Sequence, residues 1–119
     1  MEKIKAISAL SALGQQTRID VFRLIVQNEP HGIAAGDVAR QLMVPQNTMS
    51  THLGILVQAG LLRSERRSRS IIYRAELDQL RAVLLFLIQD CCGGNDSLCQ
   101  PLLDALACCS ALPQPVRPN

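Results

Sequence analysis

The chain has no tryptophan, and its 119 residues include one tyrosine and two phenylalanines. Tyr73, Phe22 and Phe86 are the only residues with large aromatic side chains. The core must therefore consist mainly of Leu, Ile, Val and Ala, which favours packed helices. No apolar run approaches membrane-spanning length. Serines and Glu2 interrupt the opening stretch, residues 1–14, so we interpret it as a helix and not as a signal peptide. We expect a mainly α-helical, cytoplasmic protein with no membrane partner.

Strong net charge is also lacking. A formal charge of +2 does not by itself indicate a nucleic-acid protein, so the distribution of the charge decides. Residues 60–75 contain five arginines and a single acidic residue, Glu65, whereas residues 90–119 contain three aspartates and one arginine. The positive charge is therefore concentrated in residues 60–75.

Cysteine is absent from the first 90 residues. The five cysteines are Cys91, Cys92, Cys99, Cys108 and Cys109. In the cytoplasm thiols stay reduced, and cysteines there more often bind metals or react than form structural disulfides. No cysteine is followed six positions later by an arginine, as the phosphate loop of a phosphatase-like arsenate reductase requires, and no Cys–His pairing is indicated. We therefore expect a protein that is not an enzyme.

Apolar spacing predicts helices in the first part of the chain. Ile4, Ile7 and Leu10 recur at helical spacing. A second helix is expected to start near Thr17, a reasonable cap, and to stop where residues 28–32 break the apolar pattern. That break leads into the segment predicted to contact DNA.

Two helices joined by a tight connection come next. The first is predicted over Ala34–Leu42 and the second over Gln46–Ala59, with Val44 and Pro45 between them. Two helices joined by so short a turn are typical of a helix-turn-helix.

The second of these helices has a polar outer side. Met49, Leu53, Leu56 and Val57 lie at positions i, i+4, i+7 and i+8 and form one core-facing stripe. Helix-turn-helix proteins insert the amino-terminal end of this helix into the major groove, where amides and hydroxyls contact base edges or phosphates. The residues predicted to contact DNA here are Gln46, Asn47, Thr48, Ser50, Thr51 and His52. An ordinary solvated helix face is the alternative, and the arginine-rich segment downstream favours DNA binding.

That segment is predicted to form a β-hairpin. Leu61–Glu65 and Ser70–Ala75 have strand character, and arginines surround Ser68 at the tip. Such a wing flanks the duplex, and its arginines add salt-sensitive affinity. The wing residues predicted to contact DNA are Arg66, Arg67 and Arg69. A solvated charged hairpin is the alternative for these arginines taken alone.

A last long helix from Leu77 is apolar nearly all round, which indicates a buried or interfacial helix. We expect one side to pack on its own core and the other to pair with a second subunit, with the N-terminal helix as companion. The fold class expected is mainly α with a small β-hairpin, a winged helix-turn-helix whose dimer is built on its N-terminal and C-terminal helices. We expect residues 1–110 to form this domain, with a cysteine sensing segment at 91–109, and residues 111–119 to form a flexible tail.

Two stretches resemble the ArsR/SmtB family of bacterial metal- and metalloid-responsive repressors, and the resemblance covers roughly residues 5 to 90. Residues 12–25, ALGQQTRIDVFRLI, are similar to the family's opening segment. Residues 49–74, MSTHLGILVQAGLLRSERRSRSIIYR, are similar to its recognition helix, the following Ala-Gly-Leu turn and the wing. The resemblance implies a homodimer that binds double-stranded operator DNA when ligand-free and dissociates when an inducer binds.

Two ligand sites known in that family are missing from this chain. Some arsenic sensors carry Cys-Val-Cys where this chain has Ala34, Ala35 and Gly36. Zinc sensors carry Asp and His ligands on the last long helix, but residues 77–90 contain no histidine. The inducer site is therefore expected elsewhere.

Residues 91–99, CCGGNDSLC, resemble the carboxy-terminal site of a subset of arsenite-responsive members. Adjacent helical side chains diverge by about 100 degrees, so Cys91 and Cys92 can share a ligand only where the helix ends, as the two following glycines permit. Cys99 can then supply a third sulfur. Trivalent arsenic or antimony takes three thiolates in a pyramid, so we predict As(III) or Sb(III) as inducer, with no organic cofactor.

Other interpretations stay open. Zinc would need a fourth ligand from Cys108 or Cys109, which otherwise suit a buried apolar position. A soft divalent metal such as cadmium, lead or zinc, or thiol oxidation, is the alternative signal. A winged-helix module that binds protein in place of DNA is a further class.

Overall fold

The computed structural model describes residues 1–89 together with Pro101 and Asp104, and residues 1–89 form five helices and three short strands. The helices are α1 (Lys3–Leu13), α2 (Gln16–Gln27), α3 (Ala35–Leu42), α4 (Gln46–Gln58) and α5 (Leu77–Gln89). The strands are β1 (Ile33–Ala34), β2 (Leu62–Arg67) and β3 (Ser70–Ala75). No helix within this described part is long and apolar enough to cross a membrane. The expected fold, mainly helical with a small hairpin, is confirmed.

The core lies where α2, α3 and α4 meet the base of the sheet. The predicted stripe of α4 is buried at Met49, Leu53 and Leu56, whereas Val57 is half-buried. The largest fully buried side chains are Ile25, Met49, Leu53, Leu56, Leu61, Val21, Val38 and Val83. No polar or charged residue is buried among those that the structure describes. Aliphatic burial therefore supplies the main favourable free energy of folding.

Helix α1 packs on the rest of the subunit through small residues. Ala6, Ala9 and Ala12 are buried, at a spacing of three residues that places them on one side of the helix. The apolar residues that predicted the helix lie on its exposed side. Ile4 is 78% exposed and Ile7 is 55% exposed. Helix α1 contacts α2, α4 and α5.

The N-cap of α2 lies two residues earlier than predicted. Gln15, and not Thr17, is the N-cap, and its Oε1 accepts a hydrogen bond from the backbone N–H of Arg18 at 3.0 Å. Thr17 lies inside the first turn. A capping side chain reaches only the amides of the second or third helical residue, so a cap at Gln15 serves Arg18. The predicted break after α2 is confirmed, and Gly32 within it has φ +82°.

The turn between α3 and α4 contains a methionine in the left-handed region. Met43 has φ 56° and ψ 45°, and its side chain is 90% exposed. Its N–H donates to the carbonyl oxygen of Arg40, and the N–H of Val44 donates to that of Ala39, so the last carbonyls of α3 are satisfied. The conformation suits glycine better than a residue with a Cβ.

We expect Met43→Gly to raise the free energy of unfolding by about 0.5–1 kcal/mol. Relief of the left-handed strain, about 1–2 kcal/mol, exceeds the extra entropy that glycine loses on folding, about 0.5–1 kcal/mol. Urea unfolding followed by circular dichroism measures the change. Met43→Ala is the control, since it removes the same exposed side chain but keeps the Cβ. An equal gain in both variants would mean that strain is not the cause.

The sheet has strand order β1-β3-β2, and both pairs are antiparallel. Strand β2 continues to Arg67, beyond the predicted end at Glu65, and Arg67 pairs with Ser70. Only Ser68 and Arg69 form the turn, and Ser68 has φ 56°. Two-residue hairpin loops match the strand twist when the first central residue has positive φ. We call β2, β3 and this turn the wing.

Candidate nucleic-acid interface

The outer side of α4 brings the predicted recognition residues together. Gln46, Asn47, Thr48, Ser50 and Thr51 are exposed, and His52 is half-buried. Four of these six residues line one shallow concavity of about 340 Å³, namely Asn47, Thr48, Thr51 and His52. This surface presents amide, hydroxyl and imidazole groups, which can accept or donate hydrogen bonds at base edges and phosphates.

Local hydrogen bonds organise the first turn of α4. The N-cap residue is Pro45, which supplies no side-chain cap. Instead the Oδ1 of Asn47 accepts from the N–H of Thr48 at 3.0 Å, and the Oγ1 of Thr51 donates to the carbonyl oxygen of Asn47 at 3.3 Å. The amino-terminal end of a helix carries partial positive charge, which favours a phosphate nearby.

Two residues that sequence reasoning missed adjoin this surface. Ile55 lies one turn after Thr51 on the exposed side of α4 and is 37% exposed. Arg18 of α2 places its Nη1 3.5 Å from the Nδ1 of His52. The i, i+4 spacing from Thr51 to Ile55 is visible in the sequence, whereas the contact between Arg18 and His52 joins residues 34 positions apart and has no local signal.

The wing separates its arginines by strand alternation, because successive side chains of a strand point to opposite faces. Arg63, Glu65 and Arg67 share one face of β2, and Arg66 lies on the other. Arg67 is already engaged, since its Nη2 lies 2.7 Å from a carboxylate oxygen of Glu65 and its Nη1 donates to the carbonyl oxygen of His31 at 2.8 Å. Its predicted DNA contact therefore competes with these bonds.

Arg66 and Arg69 differ from Arg67. Both are exposed, and neither forms an ion pair or a side-chain hydrogen bond with the part of the chain that the structure describes. Arg69 lies at the hairpin turn and Arg66 on the face of β2 that includes the buried Leu62. These two guanidinium groups are the wing cations available to a phosphate.

An ion cluster fixes the base of the wing. Arg74 of β3 donates from Nε and Nη2 to the carboxylate of Glu29, with a shortest distance of 2.8 Å, and the N–H of Ala75 donates to the same carboxylate at 2.8 Å. The Nη1 of Arg74 also donates to Glu65 at 3.2 Å. The side chains of Arg74 and Glu29 are only 17% and 18% exposed. The cluster ties the wing to the loop after α2.

The same contacts shift the acidity of both carboxylates. Burial by itself would raise the pKa of Glu29, but hydrogen bonds from Arg74 and the Ala75 N–H, with the charges of Arg74 and Arg63, lower it below its ordinary value. The hydrogen bond from Arg67 is the main reason that the pKa of Glu65 is also lowered.

We expect the chain to lose stability as the pH falls below about 5. A carboxylate whose pKa is lower in the folded state stabilises the fold at every pH above its unfolded pKa, and this contribution disappears as pH falls through the folded pKa. Glu29→Gln should therefore lower the unfolding midpoint at neutral pH. It should also make the midpoint depend less steeply on pH between about pH 5 and 3. Thermal unfolding across this range measures the effect. Glu2→Gln, at the exposed N-cap of α1, is the control. If the midpoint of Glu29→Gln depended on pH as steeply as that of the wild type, Glu29 would be excluded as the source of the acid destabilisation.

The predicted ligands Cys91, Cys92 and Cys99 lie outside the described residues, as do Cys108, Cys109 and the tail 111–119. Within the part that is described, no group of three or more His, Cys, Asp or Glu side chains could hold a metal ion. The last described residue of α5 is Gln89, two positions before Cys91.

Comparison with known proteins finds similar sequences among helix-turn-helix transcriptional regulators. Residues 13–65 match a family model described as a helix-turn-helix domain. Over 85 residues the chain is 28% identical to an uncharacterized HTH-type transcriptional regulator of Methanocaldococcus jannaschii, a match that covers 71% of this chain and 93% of that protein.

Solved structures show the same fold. An ArsR-like transcriptional regulator from Rhodococcus sp. RHA1 aligns with a TM-score of 0.67 and 23% identity over 87% of this chain and 91% of that one. A homodimeric winged helix-turn-helix DNA-binding domain from Mycobacterium bovis, a possible ArsR-family transcriptional regulator, aligns with a TM-score of 0.60 and 22% identity over 71% of this chain and 76% of that one. The matching proteins are regulators and not enzymes. Together, these comparisons show that the chain contains a helix-turn-helix domain and has the winged fold of ArsR-like transcriptional regulators.

Proposed function

We propose that the protein is a cytoplasmic homodimeric repressor that binds operator DNA through α4 and the wing and is released when Cys91, Cys92 and Cys99 bind trivalent arsenic or antimony. The observation that carries the DNA-binding part is the exposed polar end of α4 together with two exposed wing arginines, Arg66 and Arg69, which have no ion-pair partner among the described residues. The helix supplies groups for base edges, and the arginines supply charge for phosphates.

The exposed side of α1 supports the dimer. Ile4 and Ile7 expose most of their surface to water, although a large apolar side chain is stabilised by about 1.5–3 kcal/mol when fully buried. Helix α1 contacts α5, on which Leu77 is 45% exposed and Leu87 is 40% exposed, so both helices carry exposed apolar side chains. A homodimeric protein of the same fold exists. A two-fold dimer would present two copies of α4 to a pseudo-palindromic operator.

The sulfur chemistry supports the inducer. Three thiolates suit As(III) or Sb(III), which form pyramidal complexes, and no histidine lies in residues 77–119 to complete a mixed zinc site. Because α5 is described up to Gln89, a ligand at residues 91–99 would act next to the carboxy-terminal end of that helix. Helix α5 contacts α1. A shift of α5 on ligand binding would therefore reach the proposed dimer interface and alter the separation of the two α4 helices. Cadmium, lead, zinc or thiol oxidation is the alternative signal.

The experiment is fluorescence anisotropy of the reduced protein on DNA from upstream of its own gene, with arsenite titrated into the complex. We expect release by micromolar arsenite in the wild type and in Cys108→Ser, and no release in Cys99→Ser. Binding without release by arsenite but with release by a divalent metal or by peroxide would support the alternative signal. Failure of the wild type to bind this DNA in a salt-dependent manner would count against the repressor.

The two unpaired wing arginines give a separate prediction. Replacing Arg66 and Arg69 together with glutamine should weaken operator binding. It should also reduce the magnitude of the slope of log K against log salt by about 3.6, because the proposed dimer loses four phosphate contacts and each contributes about 0.9. Arg67→Gln should change the slope much less, because its guanidinium is paired with Glu65. Anisotropy at four salt concentrations measures the slopes. Equal slopes for all variants would mean that the wing does not contact the backbone.

A further inference from the structure

The guanidinium of Arg18 joins three elements. Arg18 lies in the first turn of α2, and its Nε donates to the carbonyl oxygen of Ala12, near the end of α1. Its Nη1 lies 3.5 Å from the Nδ1 of His52 on α4. Both side-chain contacts are partly buried, which shields them from competing water. Arg18 is therefore fixed from two sides beside the recognition surface.

The chemistry of the two side chains determines the direction of the bond between Arg18 and His52. A guanidinium has only donors and keeps its charge in proteins, so the Nδ1 of His52 must be the acceptor. In a neutral imidazole one nitrogen accepts and the other carries the proton. A hydrogen bond from Arg18 would therefore leave the ring proton of His52 on Nε2. His52 also lines the concavity on α4 together with Asn47, Thr48 and Thr51.

We propose that Arg18 is a positioning residue for DNA recognition, which orients His52 on α4 so that its Nε2–H can donate to a phosphate or base acceptor. This inference rests on the proposed DNA-binding function, but its first step concerns the free protein. Arg18 need not touch DNA itself. Because the same guanidinium also binds the carbonyl oxygen of Ala12, the orientation of the donor depends on the position of the end of α1.

The first test measures the tautomer of His52 without DNA. Long-range ¹H–¹⁵N spectra distinguish a protonated from an unprotonated ring nitrogen, and the chain has only one other histidine, His31, which is exposed in a loop and serves as the internal reference. We expect His52 in the wild type to be a single Nε2–H species, and Arg18→Gln to introduce tautomer exchange at His52 while His31 is unchanged. A proton on Nδ1 in the wild type, or the same His52 spectrum in Arg18→Gln, would overturn the proposal.

The second test is a double-mutant cycle on operator affinity. Arg18→Gln and His52→Ala should each weaken binding by about 3- to 10-fold, the size of one hydrogen bond. The double variant should bind no more weakly than His52→Ala alone, because Arg18 acts through the imidazole. Additive losses would show that Arg18 acts independently of His52, which overturns the positioning role. The matched control is Arg23→Gln, which removes an arginine that lies beside Asp20 and Leu42 and away from His52.

A lysine variant separates geometry from charge and from folding. Arg18→Lys keeps the positive charge, but its single ammonium lacks the planar fork that reaches both Ala12 and His52. We expect it to bind as weakly as Arg18→Gln, with an unfolding midpoint closer to that of the wild type. Full affinity in Arg18→Lys would mean that only charge matters, which contradicts the inference. Failure of the wild type to bind DNA would count against the proposed function and leave the tautomer result to decide the Arg18 contact.

Discussion

Replacement of Gly32 by alanine is expected to lower the free energy of unfolding by about 2–5 kcal/mol, since left-handed strain adds about 1–2 and overpacking about 1–3 kcal/mol. Gly32 has φ +82°, and a Cβ there would lie 2.5 Å from the Cγ2 of Ile72, 2.7 Å from the Cδ of Arg74 and 2.9 Å from the carbonyl oxygen of Tyr73. The carbonyl belongs to the backbone of β3 and cannot move without breaking the pairing of β1 with β3. Urea unfolding measures the loss.

Gly54→Ala is the matched control for this experiment. Gly54 lies inside α4, and an added Cβ meets nothing within 4 Å. Alanine in a helix interior is more favourable than glycine by about 0.5–1 kcal/mol, so this variant should be more stable than the wild type. A loss of similar size in both variants would mean that the steric account of Gly32 is wrong.

Replacement of Ile7 by glutamate is expected to convert the proposed dimer into monomers and to weaken operator binding by about 100-fold or more, because a monomer loses the avidity of two linked half-sites. Ile7 is 55% exposed in the subunit, so the charge costs little in the monomer. Across a two-fold interface the same substitution would bury two carboxylates without partners, which is strongly unfavourable. Sedimentation velocity measures the assembly and anisotropy measures the affinity.

The control is Gln16→Glu, which introduces the same charge outside α1. Gln16 is exposed and lies at the start of α2. It should remain a dimer and bind the operator nearly as the wild type does, since a single added charge changes only the electrostatic part of binding. If Ile7→Glu stayed dimeric with full affinity, the exposed side of α1 would not be the interface.

The helix-turn-helix was predictable from sequence because its signals are local. The four-residue spacing of Met49 and Leu53 fixes the buried side of α4, and the polar side follows from it. The hairpin was predictable from β-favouring residues and charged turn residues. Strand β1 was not, because two residues are too few to show a period, and its pairing depends on Tyr73 and Ile72 far along the chain.

Side-chain partners were the part of the interface that the sequence did not reveal. Arg66, Arg67 and Arg69 look equivalent in a run of arginines, but a strand assigns alternate residues to opposite faces, and only Arg67 meets Glu65 and the loop carbonyl of His31. Likewise the contact between Arg18 and His52 joins residues that approach each other only in the folded chain. Long-range contacts of this kind depend on how the helices pack.

Helix α1 has a buried alanine side and an exposed isoleucine side. Ala6, Ala9 and Ala12 meet the body of the subunit, whereas Ile4 and Ile7 face away from it. If this side forms the proposed dimer interface, substitutions at the two isoleucines would change which chain the helix associates with, while the subunit itself stays folded. In a cell that contains several related regulators, such a helix can acquire a new pairing preference, and avoid mixed assemblies, without any change in the aliphatic core.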